Sequence, residues 1–303
     1  MFKLKEIQAK SILSPCGIPG IDFTINPYIG CAFACKYCYA SFMGRVVGKA
    51  IKEWGSYVFA KTNAPELLKK ELSKKLKNKG RNKEIFISSV TDPYQGVEAK
   101  YKLTRQCLQV LADFGFAGAV SILTKSDLVL RDIDIFKKLK DVTVGLTVTS
   151  TNNNISRYFE KFAPAVSQRF KALEILKRKG IKTYAFVGPL LPHFVAQKTE
   201  LEKIFKRLGE VGTKNIFVEN LNLSKYIRDR LFREMTGADK ELVKKFYLSQ
   251  TKEYRQELDS LVKILAKKYG LNLMLNMVIQ HQEFHTRPSA KPKRINQLQR
   301  TVL

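Results

Sequence analysis

The sequence contains few cysteines and histidines and no long uncharged apolar run. Five cysteines and three histidines occur in 303 residues. A membrane-spanning helix needs about 20 consecutive apolar residues, and no run of that kind is present. The first ten residues alternate charged and apolar side chains, unlike a secretory signal. We therefore expect a cytoplasmic protein with no membrane partner, and in that compartment clustered cysteines more often bind metals than form disulfides.

Acidic side chains are also scarce. Asp and Glu number 27 against 54 Lys and Arg, which gives a net charge of +27. A field of this sign attracts polyanions, and nucleic acid is the first candidate. The alternative is that the lysines only solvate surface helices. The charge favours a nucleic acid or nucleotide partner without identifying one.

Strand-like and helix-like apolar patterns alternate through most of the chain. The strand candidates are 84–90, 119–124, 142–148, 182–188 and 215–221, with one more expected near 22–26. The helix candidates are 64–78, 104–115, 131–140, 165–180 and 199–212. About six repeats of strand and helix predict a parallel sheet with helices outside, as in a barrel or a doubly wound sheet.

The alternation fades after Ser224. Residues 239–270 read as one or two helices, and an apolar run that could be a closing strand follows them. We expect one unit over 1–223 and a helical extension over 224–303. The last 19 residues hold five basic and no acidic side chains. They are either a disordered, solvated end or a basic segment that binds nucleic acid.

Three of the five cysteines lie together in one short segment. Cys31, Cys35 and Cys38, here called the cysteine triplet, have the spacing C-x-x-x-C-x-x-C. A structural zinc site usually needs four ligands, and the sequence has no second pair of closely spaced cysteines to complete one. A [4Fe–4S] cluster can take three ligands from one loop and keep one iron open for a substrate or cofactor. A zinc site completed by Cys16, or cysteines that are simply buried, are the alternatives.

The triplet, with the aromatic Tyr37 before its last cysteine, resembles the signature of radical S-adenosylmethionine (radical SAM) enzymes. The resemblance implies a [4Fe–4S] cluster and SAM, whose reductive cleavage gives a 5′-deoxyadenosyl radical that abstracts hydrogen from a substrate. It also implies an electron donor such as flavodoxin or ferredoxin. The implied fold is α/β, a partial (β/α)6 TIM-type radical SAM barrel, here with a mostly helical C-terminal extension. The cysteine segment would then follow the first strand at its carboxyl end.

Further segments between about residues 10 and 195 resemble the spore photoproduct lyase-like group of radical SAM enzymes, also called DNA repair photolyase-like. They are NPYIGCAFACKYCYASFM, AKTNAPELLKKEL, ISSVTDPYQGVE, ILTKSDLVLRDID and FAPAVSQRFKALEILKRKGI. The resemblance fades beyond about residue 200. It therefore covers the predicted barrel and leaves the extension unassigned.

The resemblance assigns cofactor-binding roles by position. The cysteine triplet would hold the cluster, the ring of Tyr37 would lie beside the adenine of SAM, and the backbone around Tyr39 would lie near the adenine. Lys125 would reach the SAM carboxylate, and the Thr147 hydroxyl would also serve SAM. Arg169 would either bind the cofactor or anchor the loop.

A polar turn, TDPYQGVE, follows the second barrel strand. Asp92 and Gln95 would hydrogen-bond to SAM or substrate there, and Tyr94 and Glu98 are the candidate catalytic residues. Ser89 stands where spore photoproduct lyase carries a hydrogen-donating cysteine. Since an alcohol O–H bond is too strong for that step, we do not expect photoproduct reversal.

The functional hypothesis is a radical SAM enzyme that acts on nucleic acid or a nucleotide, in repair or modification. One alternative is a radical SAM enzyme whose substrate is a small metabolite, a peptide or a protein. A second is a non-enzymatic iron–sulfur or zinc module that binds nucleic acid.

Overall fold

The computed structural model describes residues 2–235, 237 and 240–281, so the predicted basic tail lies outside the described residues. The strands are β1 (Lys3–Ile7), β2 (Leu13–Pro15), β3 (Phe23–Ile25), β4 (Tyr28–Ile29), β5 (Tyr57–Lys61), β6 (Glu84–Ile87), β7 (Ala119–Thr124), β8 (Asp141–Val148), β9 (Lys182–Leu190), β10 (Asn215–Asn220) and β11 (Asn272–Leu273).

The α-helices are α1 (Ala64–Lys75), α2 (Glu98–Tyr101), α3 (Leu103–Phe114), α4 (Ile133–Phe136), α5 (Asn153–Phe159), α6 (Val166–Arg178), α7 (Lys198–Glu210), α8 (Lys225–Glu234), α9 (Lys240–Leu248) and α10 (Lys252–Lys268). Short 3₁₀ segments cover Tyr39–Val47, Ile51–Glu53, Lys77–Gly80 and Asp127–Asp132. None of the helices in these ranges is long and apolar enough to cross a membrane.

The main sheet has the strand order β11-β10-β9-β8-β7-β6-β3-β2. All neighbours from β3 to β11 pair in parallel, and only β2 runs antiparallel to β3. Helices follow the strands β6 to β10, which confirms the predicted α/β class and the partial barrel. The predicted strand near 22–26 is β3, and the apolar run after α10 forms β11.

The two faces of the main sheet differ in burial. Residues that face the helices are fully buried, as in Ile122 of β7 and Leu146 of β8. Side chains alternate between the two faces along a strand, and residues paired across neighbouring strands point to the same face. The pairs Phe86–Ser121 and Phe186–Phe217 therefore point away from the helices. We call the side with Phe86, Ser121, Leu123, Thr147, Phe186 and Phe217 the inner face. Most of its residues are only half-buried, so the barrel is open there.

The sequence did not predict a second, three-stranded sheet of order β1-β5-β4. Its strand β1 has the sequence KLKEI, with three charged residues in five, and is mostly exposed. It therefore lacks the apolar pattern of a core strand. The helical extension shares the hydrophobic core of the barrel through residues such as Leu231, Phe246 and Leu258. The helical extension therefore packs directly on the barrel and enlarges its hydrophobic core.

Candidate active site

The cysteine loop, residues 30–38, lies beyond the carboxyl end of β3 and is held by side chains that follow β6. Gln95 accepts a hydrogen bond from the Ala32 amide at 2.7 Å and donates one to the Gly30 carbonyl at 3.1 Å. The Thr91 hydroxyl donates to the same carbonyl at 2.5 Å. Gly30 has a φ of +90°, and a Cβ there would lie 2.4 Å from the Tyr57 carbonyl oxygen. The loop therefore requires glycine at its start, and Gln95 holds the loop.

The cysteine triplet consists of free thiols, two buried and one half-buried. Burial raises the pKa of Cys35 to about 12 and also raises the pKa of Cys38. Nearby Lys125 opposes this rise at both thiols, because a cation favours the thiolate. Soft thiolate donors next to fixed positive charge fit an iron–sulfur cluster.

No three His, Cys, Asp or Glu side chains of the described residues converge closely enough to hold a single metal ion. The three cysteine ligands of a [4Fe–4S] cluster bind three different iron atoms and need not converge on one point. The spacing of the triplet is therefore compatible with a cluster. The indole N–H of Trp54 is buried without a hydrogen-bond partner among these residues, and it acts to lower the pKa of Cys38. An unpaired donor beside a cysteine fits sulfur as its missing acceptor.

Glu160 is a fully buried carboxylate at the centre of the site, and the sequence did not identify it. Its Oε1 accepts a hydrogen bond from the Tyr37 hydroxyl, and its Oε2 lies 2.5 Å from the Arg169 guanidinium. Lys125 Nζ lies 4.0 Å from Oε1. Burial opposes ionisation, but Arg169 and Lys125 together hold the pKa of Glu160 below its usual value. Glu160 therefore joins Tyr37, Lys125 and Arg169 in one charged group.

Asp92 positions Lys125. Its carboxylate accepts hydrogen bonds from the Thr124 hydroxyl at 2.6 Å and from the Lys125 amide at 2.8 Å. It also accepts one from the Tyr94 amide at 2.9 Å. Lys125 is therefore presented from a fixed strand end with its side chain 17% exposed. Burial disfavours its charge, but Cys35 and Glu160 raise its pKa.

Arg169 and Thr147 meet at the end of β8. Arg169 donates to the Thr147 carbonyl at 3.2 Å and to the Pro164 carbonyl at 2.8 Å, besides its ion pair with Glu160. Its guanidinium is almost completely buried. These contacts occupy Arg169 within the protein, so the anchoring alternative fits its position better than direct cofactor binding.

Tyr39 connects the loop to two other elements. Its hydroxyl donates to the Ser89 carbonyl, and its own carbonyl accepts from the Tyr226 hydroxyl at 3.0 Å. The residue is 48% exposed, so its ring is available to a ligand. Tyr226 belongs to α8, so the extension contacts the site directly.

Tyr94 and Glu98, the predicted catalytic residues, are fully buried. Glu98 accepts hydrogen bonds from the Tyr28 hydroxyl at 2.5 Å and from the Thr104 amide at 3.0 Å. It also forms an ion pair with Arg131 at 2.7 Å. Because these contacts occupy the carboxylate and no solvent reaches it, we propose a structural role for Glu98 instead.

The inner face continues the site away from the loop. Phe186 shares a register row with Thr147 and with Phe217. Glu219, two residues after Phe217, lies 2.8 Å from Nε2 of His281. The chain near His281 runs beside β10 through a parallel bridge between Glu219 and Ile279. The sequence missed this pair because 62 residues separate its members.

Comparison with known proteins identifies the family. The model of the radical SAM superfamily matches residues 25–200. The chain belongs to the radical SAM superfamily. It is therefore an enzyme of the class that uses a [4Fe–4S] cluster and SAM. This confirms the resemblance seen in the cysteine triplet.

Relatives of this radical SAM enzyme occur in archaea, bacteria and viruses, among them Methanocaldococcus jannaschii, Mycobacterium bovis and Acidianus two-tailed virus. An uncharacterized protein of Methanocaldococcus jannaschii is 36% identical over 269 residues, which cover 88% of this chain and 95% of that protein. A Pseudomonas phage M6 protein named radical SAM Nalpha-GlyT isomerase is 27% identical over 201 residues, 64% of this chain and 38% of that protein.

Solved structures agree on the fold. Spore photoproduct lyase complexed with dinucleoside spore photoproduct superposes with a TM-score of 0.67 at 13% identity. The match covers 91% of this chain and 82% of that one. At this identity the similarity confirms the radical SAM fold.

Replacing Glu98 by Ala tests its structural role. The change removes the acceptor of the Tyr28 hydroxyl and one of the two carboxylates that pair with Arg131, which keeps Asp132. Breaking a buried pair costs about 3–5 kcal/mol. We expect a loss of this order in the free energy of unfolding, measured by urea denaturation. Glu210→Ala, which breaks a surface pair with Arg207, is the control and should change stability little. Unchanged stability together with lost turnover would instead restore the catalytic role of Glu98.

Proposed function

We propose that the cysteine triplet holds the [4Fe–4S] cluster, that Lys125 and Thr147 bind SAM, and that the substrate is a nucleic acid or a nucleotide. When bound, the cluster and SAM supply a 5′-deoxyadenosyl radical for hydrogen abstraction. The observation that carries the proposal is the position of Lys125, whose Nζ lies 4.0 Å from Glu160 Oε1 and 5.9 Å from the centre of the Tyr37 ring in the cysteine loop. It puts a loosely paired cation beside the cysteine loop, where the resemblance places the SAM carboxylate.

The chain contributes binding and orientation. Arg169 and Tyr37 already satisfy Glu160, and Lys125 lies at a looser 4.0 Å. A ligand carboxylate can therefore draw Lys125 away while Glu160 keeps two partners. The hydrogen bond from its hydroxyl to Glu160 keeps the ring of Tyr37 in place within the loop.

Charge and aromatic side chains support a nucleobase substrate. The half-buried rings of Phe186 and Phe217 lie on the inner face, and such rings can stack on bases of any sequence. The pair of Glu219 and His281 offers hydrogen-bonding groups at the same end of the sheet. A net charge of +27 would attract the phosphate backbone. A peptide or small metabolite is the alternative substrate, and nucleic-acid binding distinguishes the two.

Cysteine variants test the cluster ligands. Alanine at any member of the triplet should abolish iron binding and the formation of 5′-deoxyadenosine after anaerobic reconstitution, because each removes one ligand. Alanine at Cys16 or Cys107, the matched controls, should leave both unchanged. Iron content, the visible spectrum and chromatography of the products measure these effects. Loss of the cluster in the Cys16 variant would contradict the three-ligand assignment.

Lys125→Ala tests the SAM site. It should leave iron content unchanged and weaken SAM binding about ten- to hundredfold, since a charge-assisted contact contributes roughly 1.5–3 kcal/mol. Anaerobic calorimetry measures the affinity. Lys182→Ala is the control, because Lys182 begins β9 at the opposite end of the strands and pairs with Asp141. Equal SAM affinity in both variants would show that Lys125 does not bind the carboxylate.

Binding of fluorescent single-stranded DNA and RNA oligonucleotides tests the substrate class. Binding should weaken steeply as salt rises, because phosphate contacts release counterions. Phe186→Ala should weaken it roughly 5- to 150-fold if a base stacks there, since stacking contributes about 1–3 kcal/mol. The exposed Ile264 of α10 provides the control Ile264→Ala. No binding at low salt would favour the peptide or metabolite alternative.

A further inference from the structure

Arg230 of α8 is a buried cation directed at the cysteine loop. It is only 3% exposed. Its NH1 donates to the Cys35 carbonyl and approaches the Lys36 carbonyl at 3.4 Å, and its NH2 lies 3.5 Å from the Trp54 carbonyl. Its hydrogen-bond partners among the described residues are thus backbone carbonyls. No motif in the sequence points to this residue, and it lies outside the segment 25–200 that matches the family.

A buried guanidinium without an anionic partner is costly, because carbonyl groups replace only part of the lost hydration. The Nε of Arg230 is also buried without a hydrogen-bond partner in the described part of the chain, as is the indole N–H of Trp54. Arg230 and Trp54 each act to lower the pKa of the Cys38 thiol. Two donors without partners therefore lie beside the cysteine loop, which the Arg230 guanidinium contacts at the Cys35 carbonyl.

We infer that Arg230 is the counter-ion of the iron–sulfur cluster and that Trp54 donates a hydrogen bond to its Cys38 side. The inference rests on the proposed cluster ligands. Three thiolates make the cluster anionic, and reduction adds one more negative charge. The net charge and the hydrogen bonds around such a cluster set its reduction potential. A fixed cation beside it favours the reduced state, so Arg230 makes the cluster easier to reduce.

Arg230 also couples α8 to the electron-transfer step. The same helix contacts the loop through Tyr226, whose hydroxyl donates to the Tyr39 carbonyl at 3.0 Å. Lys36 of the loop in turn donates to the Glu234 carbonyl of α8 at 3.1 Å. Helix α8 of the extension therefore lines one side of the cysteine loop.

The test is an EPR-monitored redox titration of the reconstituted enzyme without substrate. Arg230→Met keeps an unbranched side chain about as long as the aliphatic part of arginine and removes the charge. We expect the ratio of reduced to oxidised cluster at a fixed potential to fall about tenfold, which is a shift of about 59 mV to more negative potential for one electron. Trp54→Phe should shift the potential in the same direction by less. Arg230→Lys, which restores the charge, should recover most of the shift.

Arg233→Met is the matched control, because Arg233 is an exposed arginine on the same helix. It should leave the potential unchanged. Equal shifts in the Arg230 and Arg233 variants, or no shift in Arg230→Met, would overturn the inference while leaving the proposed function intact. Absence of a cluster in the unmodified protein would instead overturn the proposed function itself.

Thermal melting gives a second readout if Arg230→Met holds the cluster poorly. A counter-ion stabilises the cluster-bound protein more than the apoprotein. The substitution should therefore lower the melting temperature of the cluster-bound form by more than that of the apo form. An equal loss in both forms would show that Arg230 only holds the loop through its carbonyl contacts, and the inference would fail.

Discussion

The site depends on the burial of a single carboxylate, Glu160, among groups from three parts of the chain. Tyr37 comes from the cysteine loop, Lys125 from the end of β7 and Arg169 from the first turn of α6. A buried carboxylate must be paired and hydrogen-bonded to remain charged. Because Glu160 meets that requirement with these residues, it fixes the loop relative to the barrel and leaves Lys125 as the most loosely bound partner.

Two further supports hold the cysteine loop on its other sides. Gln95 and Thr91 bind the Gly30 carbonyl from beyond β6, and Arg230 binds the Cys35 carbonyl from α8. A loop with ligand side chains gains precision when packed elements hold its backbone. The polar turn after β6 therefore serves mainly to shape the loop and to present Lys125, and the inner face remains open for a substrate.

The sequence predicted the features that local patterns encode. The strands of the main sheet are short apolar runs, the triplet has a diagnostic spacing, and Lys125 directly follows an apolar strand. Glu160 was not predicted, because its partners Arg169 and Tyr37 are 9 and 123 residues away and its own segment looks like an ordinary helix end. Arg230 was missed for the same reason, because its partner Cys35 is 195 residues away. Burial converts such ordinary charged residues into site residues, and only the fold shows which ones are buried.

The most direct test of this account is an anaerobic crystal structure of the reconstituted enzyme with SAM. We expect a cluster on Cys31, Cys35 and Cys38, with Lys125 moved from Glu160 to the SAM carboxylate. Tyr37 and Arg169 should remain on Glu160. A structure in which Lys125 stays paired with Glu160 and the SAM carboxylate binds elsewhere would contradict it.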